Sequence, residues 1–215
     1  MSQGEDIRFN RDAAGGSKAQ AIASSDELIR TIEAIKRANL PGTEAAEAIR
    51  DASIKSLIKL DPPWRWWCLR LLLEIYVKTP SVFWPLFLEW WDDAEGNLAS
   101  GWSSRTLRTA LRSGPARDYM SPEDSEWFAS LPERVTIYRG QTAGRRAGIS
   151  WTTERERAEW FARRYPFRGE PVLLSGRVKR SDIIAVFTGR RDSEVLVLPR
   201  HVRDRSSQSI IEPHS

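Results

Sequence analysis

The stretch Leu131-Pro132-Glu133-Arg134-Val135-Thr136-Ile137-Tyr138-Arg139-Gly140 marks the point where this chain changes character. After Leu131-Pro132 the helical spacing of apolar residues gives way to β-branched and aromatic types, Val135, Thr136, Ile137 and Tyr138, which suit a pleated strand. Downstream, Gly148-Ile149-Ser150-Trp151-Thr152 reads as a second strand, and Pro171 to Val178, Asp182 to Phe187 and Glu194 to Leu198 as three more. One helix interrupts them. It starts at a capping box formed by Thr153 and Glu156, runs to about Arg164, and has Ala158, Phe161 and Ala162 on its apolar side. Residues 199 to 215 read as a polar tail.

Upstream of Leu131 the pattern is helical. Ser24 and Glu27 make a capping-box signal for a helix over Asp26 to Ala38, with Leu28, Ile32 and Ile35 at helical spacing and Asn39-Leu40-Pro41-Gly42 as its stop. A second helix is expected from Glu44 to about Lys59, on Ile49, Ile54, Leu57 and Ile58. Asp61-Pro62-Pro63 and Thr79-Pro80 each read as an N-cap followed by proline in the first turn, where a missing N–H costs nothing. The first opens a helix carrying Trp64, Trp67, Cys68, Leu71, Leu72 and Ile75; the second opens Ser81 to Trp91. Ser104 to Arg112 is expected to be helical, and Ser121-Pro122-Glu123 caps a short helix ending near Ala129. The fold class is therefore α+β: a helical N-terminal region followed by a small mixed β-sheet. The expected divisions are a loosely attached segment 1–22, a Trp-rich helical region 23–131, a core 132–199 and a tail 200–215.

Composition narrows the chemistry. Charged residues make up 29% of the 215 and hydrophobic ones 40%, a globular balance, and the net charge of +4 permits an acidic or nucleic-acid partner without demanding one. The single cysteine, Cys68, sits in the apolar run Trp66-Trp67-Cys68-Leu69, so no internal disulfide is possible and a reducing, cytoplasmic setting is expected. His201 and His214 are the only histidines, which leaves no ligand set for zinc and no central histidine for a nucleophilic triad, so no metal is expected. The polar Met1 to Lys18 lacks the apolar core of a signal peptide, and charges and prolines break up Trp64 to Trp91, so no membrane partner is expected. Six of the ten tryptophans fall in that window. They read as a helical core, or alternatively as a face for a partner.

Three polar positions fall at the ends of predicted strands, where rigid elements aim side chains well. Arg139 ends the first strand and can grip a phosphate bidentately, with Gly140 next to it permitting close ligand approach. Ser150 lies on the second strand. Asp192-Ser193-Glu194 enters the last, and strand alternation would place both carboxylates on one face. Paired carboxylates suit acid–base work or stabilisation of a developing cation. A P-loop sequence is missing, and Gly140-Gln141-Thr142-Ala143-Gly144 does not make a dinucleotide-binding fingerprint.

In this order and on these elements the residues resemble the arginine-serine-glutamate class of ADP-ribosyltransferases. Tyr138-Arg139-Gly140 corresponds to the first family motif, Ser150-Trp151-Thr152-Thr153 to the Ser-Thr-Ser-like strand, Ala158-Glu159-Trp160-Phe161-Ala162 to an Ala-x-x-Phe-Ala helix, and Asp192-Ser193-Glu194 to Glu-x-Glu. The resemblance covers residues 132–199. It implies a mono-ADP-ribosyltransferase that cleaves NAD⁺ as substrate and transfers ADP-ribose to a macromolecular acceptor, with protein arginine favoured over nucleic acid. It further implies NAD⁺ binding by Arg139, Gly140, Ser150, Thr152 and Phe161, with Glu194 oriented by Ser150 and stabilising an oxocarbenium-like transition state, and Asp192 orienting or deprotonating the acceptor. Trp151 and Thr152 depart from the family triplet, and Asp192 stands where arginine-modifying relatives carry Glu. The loop Thr188-Gly189-Arg190-Arg191 would face the target. Two other readings stand beside this one: an NAD⁺ glycohydrolase using the same site, and a non-catalytic module that binds protein or RNA.

Overall fold

The computed structural model describes residues 18–91, 104–164, 169–189 and 193–210. They form an α+β protein of seven described helices and one six-stranded sheet. Two compact units, residues 1–98 and 99–215, divide the chain.

The first unit contains α1 (Lys18–Ala38), α2 (Gly42–Leu57), α3 (Pro62–Ile75) and α4 (Pro80–Trp90). Helix α1 starts before the predicted Asp26 and includes residues expected to be loosely attached. Its buried stripe begins with Ala21 and Ser25 and continues through Leu28 and Ile32, so Ser24 lies inside the helix and caps nothing. Small residues at the start of a stripe carry little hydropathy, which is why the pattern begins late when read from sequence. Asp61 and Thr79 occupy the predicted N-cap positions, but neither side chain makes a capping bond.

Helix α4 is buried on nearly every side, through Val82, Phe83, Trp84, Leu86, Phe87, Leu88 and Trp90, and Pro85 is accommodated within it. The tryptophans accordingly divide: Trp84, Trp90 and Trp91 are buried, whereas Trp64, Trp66 and Trp67 are half-buried. The Trp90 Nε1–H donates to Ser53 Oγ at 2.9 Å, satisfying its one polar atom in the core. Arg65 donates to the carbonyls of Leu57, Ile58 and Leu60 at the end of α2 and lies over the Trp90 ring at 5.5 Å. It thereby serves last-turn carbonyls that have no helical partner. Ile54, Ile58 and Ile75, read from the sequence as apolar helix positions, are exposed.

The second unit contains α5 (Ser104–Ser113), α6 (Pro122–Ser130), β1 (Arg134–Thr142), β2 (Ser150–Thr152), α7 (Arg155–Arg163), β3 (Pro171–Lys179), β4 (Ile183–Phe187), β5 (Glu194–Val197) and β6 (Arg203–Ser209). The sheet order is β4-β5-β2-β1-β3-β6. All its pairings are antiparallel, where a mixed sheet was expected. Ser121 caps α6 as predicted, accepting from the Asp124 amide at 3.1 Å. That helix lies before the expected boundary near residue 131 yet packs on the sheet. Trp127 and Phe128 meet a core of Val135, Ile137, Trp151, Val186, Val195 and Val197.

Strand β6 lies within the predicted polar tail. All seven of its residues are exposed, so no alternation announces it. Its ladder to β3 is supplemented by Ser175 and Ser206, whose hydroxyls are 2.7 Å apart, and by a Ser209–Glu170 hydrogen bond.

Candidate functional site

Strand β1 delivers Arg139 and Gly140 to opposite faces of the sheet, following the alternation of side chains. Val135 and Ile137 point into the core below, and Gly140 points to α7. A Cβ at Gly140 would lie 1.8 Å from the Ala158 carbonyl oxygen and 2.5 Å from the Ala162 nitrogen. The close approach that the sequence assigned to a ligand is made by the α7 backbone, with Ala158 and Ala162 buried beneath the helix.

Ser150 and Glu194 meet directly. The Ser150 Oγ–H donates to Glu194 Oε1 at 2.5 Å, although 44 residues separate the two in the chain. The register explains it. Ser150 is opposite Leu196 and Thr152 is opposite Glu194, so all four share one face, while Trp151 and Val195 turn to the buried core. Trp151, which the sequence left between core and pocket, is 2% exposed, and its indole N–H donates to the Gly148 carbonyl at 3.1 Å.

Arg139 joins this pair from the neighbouring strand. Its Nη1 donates to the Ser150 carbonyl at 2.6 Å and its Nε to Gln141 Oε1 at 3.2 Å. Burial pushes the guanidinium below its usual pKa, and the Glu194 charge acts in the opposite direction. Arginine stays charged in either case, so the site holds a largely desolvated cation beside a carboxylate that a hydroxyl fixes in place. Two of the five N–H donors are engaged among the described residues, and the remainder can serve an anion.

Three supporting residues escaped the sequence reading. Gln141 accepts from Arg139 and donates to the Arg145 carbonyl at 2.6 Å, fastening the guanidinium to the loop before β2. Its place two residues beyond Arg139 on one strand was the available signal. Gly148 lies so close that a Cβ there would sit 3.0 Å from Arg139 Nη2. Glu154 accepts from Ser193 Oγ at 2.5 Å and so holds the entrance to β5. Ser193 itself is left-handed, with φ +39°. Strand alternation therefore does not run back through it from Glu194, as the sequence argument assumed. Asp192 lies outside the described residues, as do Arg190 and Arg191.

The other predicted ligand-binding residues separate. Thr152 is buried, and its hydroxyl accepts from the Glu154 amide at 3.0 Å. The capping box expected of Thr153 and Glu156 does not form: α7 begins one residue later, with Glu154 at its N-cap and no side-chain capping bond. Phe161 is on α7, 37% exposed, edge-on to Trp160 at 5.0 Å and beneath the Arg157 guanidinium at 4.9 Å. Thr188 is tied by its amide and hydroxyl to Asp124, both at 2.9 Å, which anchors the start of the predicted target-facing loop on α6.

Among the described residues no cluster of His, Cys, Asp or Glu could hold a metal ion, and no helix is long and apolar enough to cross a membrane. No protein family, curated protein or solved structure matches the chain.

Proposed function

We propose that the chain cleaves NAD⁺ at the nicotinamide–ribose bond and transfers ADP-ribose to a macromolecular acceptor, with arginine on a protein as the favoured class. The observation that supports this most is the Ser150–Glu194 hydrogen bond with Arg139 fastened to the same strand. In chain order and strand position these residues resemble the arginine-serine-glutamate pattern. As nicotinamide leaves, positive charge grows on the ribose. A carboxylate already fixed in orientation stabilises that charge without reorganising, which is among the larger catalytic effects an active site can supply. Glu194 has this role, and Ser150 holds its oxygen. The remaining donors of Arg139 bind the diphosphate. Phe161 offers a ring on α7, and Thr152 shapes the turn after β2. Asp192 is assigned to the acceptor, whose proton it orients or removes, a task worth about 10²–10⁴-fold.

The test is incubation of the purified chain with NAD⁺ labelled in its ADP-ribose half and a cell lysate, beside Glu194→Ala and Asp192→Ala. The proposal expects label on protein that disappears with Glu194→Ala, and nicotinamide release that outlasts transfer in Asp192→Ala. Nicotinamide release with no labelled acceptor would replace it with a glycohydrolase. Neither release nor label would overturn it.

A further inference from the structure

The sheet face that carries α7 is only partly covered. Residues directly opposite each other in an antiparallel pair point to the same face. Arg134 stands opposite Lys179, and Arg177 is opposite both Thr136 on β1 and Arg203 on β6. By alternation along β1, Arg134 and Thr136 share the face of Gly140, which meets α7. All four cations are exposed, and among the described residues none has a side-chain hydrogen bond or ion pair. Like charges directly opposite each other destabilise a sheet. Protection of an edge strand accounts for Arg203. It does not account for Arg134, Arg177 and Lys179, which are on the inner strands β1 and β3.

A second feature lies on the same face. Trp160 and Phe161 of α7 are 46% and 37% exposed, and the guanidinium of Arg157 lies 4.4 Å from the Trp160 ring centre and 4.9 Å from that of Phe161. Arg164 lies over Trp160 at 5.5 Å. Along β1 the run from Arg134 to Gly140 spans roughly 20 Å, at about 3.4 Å per residue. A row of cations and a platform of exposed rings thus occupy one surface, linked at its far edge by Arg155, which donates to Gln208 of β6 at 3.2 Å.

We propose that this surface binds single-stranded nucleic acid, with phosphates on Arg134, Arg177, Lys179 and Arg203 and bases stacked on Trp160 and Phe161. Cations together with stacking rings are what unpaired strands require. An acidic peptide uses the cations but has no bases for the rings, and a duplex keeps its base faces stacked internally. The inference does not rest on NAD⁺ cleavage: Phe161 is the one residue the two readings share, and the test varies Trp160, Arg177 and Lys179, none of which serves NAD⁺.

The test is fluorescence anisotropy with labelled single strands of about 15 nucleotides, titrated over a range of salt. Each phosphate contact on a single strand contributes about −0.7 to the slope of log K against log salt. Arg177→Gln/Lys179→Gln should therefore make the slope shallower by about 1.4 and weaken binding about 25-fold near 0.1 M salt. Trp160→Ala should weaken binding fivefold or more at an unchanged slope. The double variant should melt no lower than the wild type, because it relieves like-charge pairs, so loss of binding is separable from unfolding. Glu194→Ala should bind as the wild type does, which keeps a failure of this inference distinct from a failure of the NAD⁺ reading. No binding by the wild type, an unchanged slope in the double variant, equal affinity for a duplex, or displacement by polyglutamate as effective as by an unlabelled strand would each overturn it.

Discussion

Gly140→Ala offers a demanding test of how α7 is seated. The added Cβ would lie 1.8 Å from the Ala158 carbonyl oxygen, about 1.6 Å inside the 3.4 Å at which ordinary contact begins, and 2.5 Å from the Ala162 nitrogen. Both are backbone atoms in adjacent turns of the helix, so no rotamer change relieves the clash. Either α7 lifts from the sheet or β1 moves away from it. Overpacking that a side chain can absorb costs about 1–3 kcal/mol. With a whole helix to displace, the cost should reach the top of that range or exceed it. A loss of about 3 kcal/mol lowers the melting temperature of a unit this size by about 10 °C or more. The assay is thermal and urea unfolding without NAD⁺, beside Gly42→Ala, where a Cβ meets nothing within 4 Å and stability should hold or rise slightly. A Gly140→Ala protein melting within a degree or two of the wild type would refute helix packing as the reason for this glycine, and would return it to the role of admitting a ligand.

Two further outcomes follow from the first unit. Ser53→Ala removes the acceptor of the buried Trp90 N–H; an orphaned buried donor costs about 1–3 kcal/mol, so urea unfolding should show a lower midpoint, and an unchanged one would contradict the contact. Burial and the neighbouring Glu33 push Tyr76 up to about 12 from an ordinary 10. The folded state therefore resists ionisation of the phenol more than the unfolded state does. The resulting stability is complete below pH 10 and is lost as pH rises from 10 towards 12. The wild-type melting temperature should fall more steeply than that of Tyr76→Phe across this window, and parallel profiles would count against the assignment.

The sequence was informative wherever side-chain type and period agree. Val135, Ile137 and Tyr138 announced β1, and Ser121 with Pro122 announced α6. It failed where a segment has no apolar face, as in β6, or where small buried residues such as Ala21 and Ser25 extend a stripe without raising its hydropathy. Strand pairing was not legible, because period 2 defines a face and not a direction, so an antiparallel sheet replaced the expected mixed one. In the candidate site, Ser150 and Glu194 begin β2 and β5, positions that pattern can locate, whereas Arg139, expected to end the first strand, lies within β1, which runs on to Thr142 because its ladder to β3 continues to Pro171. Gln141, Gly148 and Glu154 were missed because their roles depend on distances between loops. The same holds for Gly140, whose neighbour is a helix 18 residues further along the chain.

The most direct test of the central claim is nicotinamide release from NAD⁺ by the purified chain, wild type against Glu194→Gln. This substitution keeps the side chain's shape and a hydrogen bond with Ser150 while removing the charge. The account predicts release by the wild type and a fall of about 10²–10³-fold in kcat, the cost of losing one preorganised electrostatic group, at an unchanged melting temperature. Equal release by the two proteins, or none by the wild type, would contradict it.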